Sequence, residues 1–488
     1  MRKSIVGLLM AGCAAFAQPS HAQLVKCLTY TVEANASASG GNYSPLWLNA
    51  NRYGLSSVEK QNGYFRAGLF SPYEEGKKFA YRFGLDLAGA YHAPSAFVIQ
   101  QAYLDLRYWN IELSFGSKER PMEIKNQELS SGGMTNSNNA RPIPQVRIAL
   151  PDYIPVDRTG FFSFKGYLAY GLFSDWRWQR DFIQNPGQKH TEHTLYHSKA
   201  LFAKIGNEER FPLVFEGGLE MGAQFGGKTY DSRFDPYLDN PNGLKDFFKI
   251  LIPSGSDATD GQYANVEGNH LGSWQFALSY KSPQAKVKAY YEHYFEDHSM
   301  LFGEYGWKDG LIGVELTLPK NPVVSSFVYE YVGTKDQAGP IYHDHTPQIA
   351  DQISARDNYY NHGLFTGWQH WGQAIGNPLL TSPIYNTDGQ IAFKNNRIKA
   401  HHFGLNGQPT QELHYRLLLS CTQNWGTYGQ PFTEVQKNTS FLAEVGYAPQ
   451  QLPGWSFQLA FAFDRGELLG DNTGGMLTIR KSGILFHK

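Results

Sequence analysis

The stretch FAYRFGLDLAGAY, residues 79–91, shows the pattern that repeats along most of the chain. Aromatic and aliphatic side chains alternate from Phe79 to Leu87, and Arg82, Asp86 and small residues fill the positions between them. Successive side chains of a β-strand point to opposite faces, so the alternation predicts a strand with one apolar and one polar face. The stretch is longer than the typical soluble strand of about 5–6 residues and suits a tilted membrane crossing of about 9–11 residues.

The same alternation recurs to the end of the chain. Comparable segments include residues 102–108, 162–172, 213–225, 274–280, 287–296, 323–331 and 455–463. We count roughly sixteen to eighteen such segments, with ends uncertain by a few residues. They predict an all-β fold class, a transmembrane antiparallel β-barrel of about 16–18 strands. A soluble β-sandwich would share the alternation, but strand length and aromatic strand ends favour the barrel.

The connections between these segments alternate in length. Residues 108–112, 281–285, 407–411 and 449–453 form tight turns, whereas residues 119–159, 175–196, 229–269 and 335–396 form long polar stretches. Outer-membrane barrels have short periplasmic turns and longer extracellular loops. We therefore expect the long stretches to be extracellular loops that partly close the lumen.

The first residues indicate export. Arg2 and Lys3 precede an apolar stretch, Ile5 to Ala17, and residues 20–22 (Ser-His-Ala) offer small residues at a cleavage site. This layout predicts a signal peptide over residues 1–22, followed by a single outer-membrane barrel domain over residues 23–488. Cys13 as a lipoprotein cysteine is the alternative, but it would leave a very short apolar region.

The composition fits an exported barrel. Aromatic residues make up 15% of the chain, charged residues 18%, and Gly numbers 50, with no apolar run after residue 22 long enough for a membrane helix. A formal net charge of −1 gives no sign of a nucleic-acid partner. Cys27 and Cys421 remain after cleavage, and whether they pair is left open.

Two long segments carry the residues suited to binding a glycan. Residues 129–146 are amide-rich (LSSGGMTNSNNARPIPQV), and residues 359–372 combine aromatic rings with amides (YYNHGLFTGWQHWG). Rings cover the CH faces of sugars, and polar side chains bind their hydroxyl groups. The candidate polysaccharide-binding residues are Asn139, Arg141, Tyr360, Trp368, His370 and Trp371. Turn formation and packing inside a plug are the alternative roles for both segments.

Other chemistry finds weaker support. The histidine pairs 343/345 and 401/402 lack the spacing of known metal sites, so we expect no metal and no cofactor. Glu292, Glu296 and Asp297 lie close together, and Glu216 and Glu220 share a strand face. A glycosidase needs two carboxyl groups about 5–9.5 Å apart, which a sequence cannot show.

At these segments the chain resembles the capsule assembly Wzi family. Residues 129–146, with GGMT and NARPIPQ, carry the most specific match. Further landmarks follow the family's order along the chain: PLWLNANRYG at 45–54, YEHYFEDHS at 291–299, and GWQHWG at 367–372 followed by GNPL at 376–379. The resemblance implies an 18-stranded outer-membrane barrel with inward-folded loops and small helical elements at the periplasmic end.

The resemblance also implies a function. The implied function is attachment of capsular or surface polysaccharide at the cell surface, without catalysis. The protein would contact outer-membrane lipid, and we favour a monomer. An outer-membrane porin or oligosaccharide channel is the second hypothesis. A glycan hydrolase that uses lumenal carboxylates is the third.

Overall fold

The computed structural model describes residues 27–253, 267–296, 308–337 and 357–487. The expected signal peptide, residues 1–22, lies outside the described residues, and its cleavage stays a prediction. Asp297, His343 and His345, considered above as site residues, also lie outside them.

Within the described ranges, eighteen strands form one antiparallel sheet. They are β1 (Cys27–Gly40), β2 (Gln61–Ser71), β3 (Phe79–Tyr91), β4 (Phe97–Tyr108), β5 (Ile111–Ser117), β6 (Gln145–Pro155), β7 (Phe162–Leu172), β8 (Leu195–Ile205), β9 (Leu213–Phe225), β10 (Asn269–Lys281), β11 (Lys286–Glu296), β12 (Gly310–Thr317), β13 (Ser326–Gly333), β14 (Ile398–Gly407), β15 (Leu413–Gly426), β16 (Pro431–Tyr447), β17 (Trp455–Gly466) and β18 (Asn472–His487). Each strand pairs with the next, and β1 pairs with β18 along its whole length, which closes the barrel. The predicted barrel is confirmed at the upper limit of the predicted strand number.

The two faces of the strands differ as the alternation predicts. On the outer face, Leu85 of β3 is 46% exposed and Leu459 of β17 is 63% exposed. On the inner face of β3 and β4, Asp86 and Asp105 are buried and pair with Arg66 and Arg82. Apolar side chains therefore face the lipid, and charged side chains satisfy one another in the lumen.

The barrel has two unlike ends. Both ends of the described chain and the tight turns 109–110, 282–285 and 408–412 lie at one end, which we call the short-turn end. The opposite, long-loop end carries the extended connections 41–60, 118–144, 173–194, 226–268 and 334–397. By the usual asymmetry of outer-membrane barrels, the long-loop end faces the cell exterior.

The described helices are short and belong to the long-loop connections. They are α1 (Leu46–Asn49), α2 (Trp176–Phe182) and α3 (Leu244–Leu251), with a 3₁₀ turn at Pro383–Tyr385. Helical elements were expected at the periplasmic end, whereas those in the described ranges belong to connections that leave the long-loop end, and α1 lies inside the lumen. None of them is long and apolar enough to cross a membrane. Small strands also lie in these connections: His190–Glu192 with Lys228–Tyr230 and Leu238–Asp239, and Gln369–His370 with Gln373–Ala374.

Three of these connections fold into the lumen, and we call them together the plug: residues 41–60, 118–144 and 357–397. All four residues of α1 are buried. Residues 118–144 cross the lumen, because Lys288 donates to the carbonyl of Ile124 at 2.7 Å and Asn406 donates to Glu128 at 2.9 Å, both near the short-turn end. The expected inward folding of the loops is thus confirmed.

The two cysteines of the mature chain are not joined. Cys27 begins β1 and Cys421 lies in β15, where it is exposed, and both thiols are free. Barrel closure brings the two chain ends together but places these strands apart on the wall. The pairing that the sequence left open is therefore absent.

Candidate functional site

A buried carboxylate on the barrel wall holds the lumen-crossing loop. Glu330 of β13 accepts hydrogen bonds from the hydroxyl groups of Ser130 (2.7 Å), Ser131 (2.6 Å) and Tyr290 (2.6 Å), and from the backbone N–H of Ser131 (2.7 Å). An ionised carboxylate has about four lone-pair sites, so these donors satisfy it completely. Such bonds to a charged acceptor are stronger than neutral ones, and they fix the loop to the wall.

A second buried carboxylate does the same on the neighbouring wall. Glu292 of β11 forms an ion pair with Lys125 of the loop at 2.5 Å, and the two side chains are 1% and 2% exposed. It also accepts hydrogen bonds from the backbone N–H of Met134 at 3.0 Å and the hydroxyl of Ser273 at 2.7 Å. Glu296, in the same strand, accepts from the backbone N–H of Tyr360. Glu292 and Glu296, two of the five carboxylates considered for a hydrolase, thus hold plug segments within the lumen.

The two candidate loops interlock through buried side chains. Asn139 accepts from the backbone N–H of Asn51 at 3.1 Å and donates to the carbonyl of Ala374 at 2.9 Å. The Trp368 indole donates to the carbonyl of Thr135 at 2.7 Å, and the Tyr360 hydroxyl donates to the carbonyl of Met134. Asn139, Trp368 and Tyr360 are fully buried. Their contacts are those of packing and loop fixation.

Close backbone approach makes this interlocking possible. A side chain at Gly54, where φ is +64°, would place Cβ 2.5 Å from the backbone nitrogen of Arg141. A Cβ at Gly376 would collide with the Tyr360 hydroxyl and the Met134 carbonyl. Glycine is therefore required at both positions, where plug segments touch backbone to backbone.

Arg141, His370 and Trp371 form a connected group near the long-loop end. The guanidinium of Arg141 lies over the Trp371 ring at 4.2 Å, and the carbonyl of Arg141 bonds His370 Nδ1 at 2.8 Å. Burial lowers the pKa of Arg141 to about 10 and lowers the pKa of His370, although nearby Asp175 opposes both shifts. The Arg141 guanidinium lies against the Trp371 face, and the backbone carbonyl of Arg141 is bonded to His370, so both the side chain and the backbone of Arg141 are engaged beneath the ring.

Trp371 is the candidate ring that reaches the surface. It is half-buried, and its indole N–H donates to the hydroxyl of Ser174 at 3.3 Å. Its backbone N–H donates to Asp175 at 3.2 Å, immediately before α2. The start of α2 therefore adjoins Trp371 at the rim of the barrel.

Helix α2 extends this surface with another ring and several cations. Trp176 is half-buried, and the guanidinium groups of Arg177 and Arg180 lie 5.0 and 4.9 Å from its ring centre. The His193 ring packs against the same ring in a tilted arrangement, with ring centres 5.5 Å apart. We call Trp371, Trp176, Arg177, Arg180 and His193 the rim patch. It offers partly exposed aromatic faces beside donors, the combination that suits a sugar polymer.

The structure brings the six candidate residues into one interlocked cluster, but their exposure to solvent differs. Trp371 reaches the surface, and Arg141 supports it from beneath. The sequence pattern does not single out Trp176 and Arg177, because they lie in a stretch predicted to be a long polar loop. The alternation of Trp and Arg in DWRWQR, residues 175–180, was the available signal.

A cavity of ≈ 100 Å³ lies in the lumen beside this cluster. Its lining includes Arg120, Arg147, Glu123 and Tyr167, and the Arg147 guanidinium stacks on the Tyr167 ring at 3.4 Å. The plug segments and this small charged space together occupy the lumen around the cluster.

Comparisons with known proteins agree with this architecture. The family model described as capsule assembly protein Wzi matches residues 33–430. The solved structure of Wzi from Escherichia coli, described as a carbohydrate-binding β-barrel involved in group 1 capsule assembly, is 12% identical, with a TM-score of 0.55 over 92% of this chain and 83% of that one. At that identity the likeness shows the barrel fold alone.

Two Pseudomonas aeruginosa structures overlap less well. OccK5 (OpdH) is 8% identical, with a TM-score of 0.48 over 95% of this chain and 100% of its own. OccK3 (OpdO) is 12% identical, with a TM-score of 0.47 over 95% and 97%. No curated protein sequence matches the chain significantly.

Proposed function

The chain belongs to the Wzi family of capsule assembly proteins, and on that premise we propose that it binds capsular or surface polysaccharide at its long-loop end without catalysis. In this role it holds the polymer at the surface of the outer membrane and helps to assemble the capsule. The E. coli relative is described as carbohydrate-binding, which supports the same role here.

The observation that carries the proposal is the supported ring of Trp371. Arg141, beneath it, is fixed by the interlocked loops, and the rim patch continues the surface across α2. A binding surface built in advance loses less side-chain freedom when a flexible polymer docks. Asn139, Tyr360, Trp368 and His370 have supporting places behind this surface, and direct contact with the polymer by any of them stays a prediction.

The filled lumen supports a holding role over transport. The plug segments are fixed to the wall by charged groups, and the hydrolase carboxylates Glu292 and Glu296 are occupied in that fixation. A surface that binds sugars beside a closed lumen can retain a polymer outside the cell. The rim patch, rather than the lumen, is the proposed site of contact.

The test compares the two tryptophans of the rim patch with a third tryptophan at the opposite end of the barrel. Trp371→Ala and Trp176→Ala are expected to weaken binding of the purified barrel to polysaccharide extracted from the producing cells by about tenfold each, which is about 1.4 kcal/mol. Trp109→Ala is the matched control, because Trp109 is exposed, also has a positive φ (55° against 56° at Trp371) and lies at the short-turn end.

Binding is measured as retention of the labelled polymer by immobilised protein. Cells that carry each variant are then stained for attached and shed capsule. Equal retention by Trp371→Ala, Trp176→Ala and Trp109→Ala would place the polymer elsewhere on the barrel. Unchanged capsule attachment after deletion of the gene would contradict the proposed function itself.

A further inference from the structure

A row of cations lies on the outer wall of the barrel, away from the rim patch. Three of these cations lie just outside strand ends. Lys308 precedes Gly310 of β12 by two residues, Lys335 follows Gly333 of β13 by two, and Arg397 precedes Lys399 of β14 by two. Those three positions face one another in the sheet, since Gly310 pairs with Gly333 and Gly333 pairs with Lys399. Four basic side chains from neighbouring strand ends are thus brought together by register.

The outer face changes in character toward this row. Tyr329 pairs with Phe403, the next outward pair is Tyr331 with His401, and then comes Gly333 with Lys399. Each such step advances by two residues, about 7 Å. An apolar row, an amphipathic row and a cationic row therefore follow in sequence, as they do where a barrel wall passes from acyl chains to headgroups.

The glycine pair leaves space under the cations. Gly310 and Gly333 contribute no side chains where neighbouring rows carry Ile312 and Tyr331. A cavity of ≈ 430 Å³ opens at this point, lined by the four basic residues together with Gly333 and Tyr331. The cavity combines concentrated positive charge with an aromatic side that faces the lipid.

Aromatic rings hold two of the cations in position. The Arg397 guanidinium lies 3.6 Å from the centre of the Tyr428 ring, and its Nε donates to the carbonyl of Lys335 at 3.0 Å. Lys335 Nζ lies 4.7 Å from the centre of the Trp425 ring. A preorganised guanidinium beside ammonium groups is the arrangement that proteins use for phosphate oxygens.

Two carboxylates also line the cavity, so the net charge must be considered. Asp309 and Asp336 oppose the four cations, which leaves a formal surplus of two positive charges. Asp309 is 2% exposed, and it accepts hydrogen bonds from the backbone N–H groups of Asp336 and Gln337 and from the Tyr359 hydroxyl. Its carboxylate is thus engaged by donors of the surrounding loops, and the formal charge of the whole lining stays positive.

We propose that this cavity binds the phosphate groups of a lipid headgroup in the outer leaflet, with acyl chains running down the wall past Tyr331, Ile312 and Val314. Those side chains lie in the rows directly below the cations. Basic pockets at membrane-protein surfaces bind anionic headgroups in this way. The site is separate from the rim patch, and it anchors the barrel to lipid whether or not the rim patch binds polysaccharide.

The site is tested with full-length protein solubilised in mild detergent and examined by native mass spectrometry. The probes are diphosphorylated lipid A, its monophosphoryl form and phosphatidylethanolamine, each added at equal concentration. We expect one diphosphorylated lipid to be retained, with weaker retention as phosphate groups are removed. The variant Lys335→Gln/Arg397→Gln/Lys399→Gln is expected to lose retention at least tenfold, and Arg397→Lys to keep most of it.

Lys481→Gln is the matched control, because Lys481 also lies near a tryptophan ring, Trp455, at 5.5 Å. It belongs to the short-turn end of β18, so its loss should leave retention unchanged. Unaltered heat-modifiable migration of the variants shows that the barrel still folds. If the triple variant fails that check, Lys399→Gln alone is used, because Lys399 is exposed.

Three results would overturn the proposal. The first is equal lipid retention by the wild type and a folded variant that lacks the cavity cations. The second is displacement of the lipid by millimolar inorganic phosphate, which would indicate a site for small anions. The third is loss of polysaccharide binding with unchanged lipid retention in the triple variant, which would assign the cavity to the glycan.

Discussion

Removal of the Lys125 ammonium should release the lumen-crossing loop. In Lys125→Met, the carboxylate of Glu292 keeps its hydrogen bonds from Met134 and Ser273 but loses its only ion-pair partner among the described residues. Breaking a buried pair on one side costs about 3–5 kcal/mol, because an uncompensated charge remains. Local opening of residues 118–144 should therefore rise by a factor of about 10²–10⁴.

Hydrogen exchange of the amides in residues 118–144 measures this opening directly. Single-channel recording in planar bilayers supplies a second measurement. The wild-type barrel should stay closed, and Lys125→Met should show brief openings as the loop leaves the lumen. A fall in amide protection of less than tenfold, together with a silent channel, would refute the assignment of this ion pair as an anchor of the plug.

Two variants isolate the cause. In Lys125→Met/Glu292→Gln, the amide oxygen still accepts from Met134 and Ser273, and no buried charge is left, so protection should return to within about 1 kcal/mol of the wild type. Lys286→Met removes a partly exposed ion pair with Glu208 at the short-turn end and should cost under about 1 kcal/mol. A double variant as open as Lys125→Met would indicate that lost packing, not charge, releases the loop.

Three further outcomes follow from single side chains. Ile250→Ala should cost about 2–5 kcal/mol and detach α3 from the wall, seen as faster amide exchange in residues 244–251, because Ile250 is fully buried. Cys421 should react with membrane-soluble maleimide, and reductant should leave the mass of the untreated protein unchanged, because both thiols are free. Burial lowers the pKa of His362 to about 3, and its Nδ1 accepts the N–H of Leu364. Amides in residues 357–397 should therefore lose protection from hydrogen exchange as pH falls below about 6.5, where the unfolded segment takes up the proton first. The variant His362→Asn should remove that pH dependence.

The wall of the barrel could be predicted from the sequence because strand alternation is a local property. In β3 and β17, apolar side chains face the lipid and polar side chains face the lumen. Short turns such as 282–285 make neighbouring strands pair antiparallel. The end of the barrel that carries the helices could not be predicted in this way. It depends on which connection contains each helix, and the resemblance pointed to the opposite end.

The site was predicted only in part. The two candidate loops meet in the lumen, although Trp368 and Thr135 are separated by 233 residues, and their contact with a polysaccharide stays a prediction. Trp368 and Trp371 lie three positions apart in one motif, yet the first is fully buried and the second reaches the surface. No local rule separates them, because the carbonyl of Thr135 receives one indole and Ser174 the other.

The sequence by itself determined the antiparallel barrel, its two unlike ends and the positions of its long loops, since each follows from periodicity and turn length. Only the tertiary structure decided which rings face solvent, which carboxylates anchor the plug and which cations share a cavity. These outcomes depend on closure of the barrel and on strand register, which bring together distant residues such as Arg397 and Lys335. Burial and charge pairing are properties of that three-dimensional arrangement, and they carry no short-range signal along the chain.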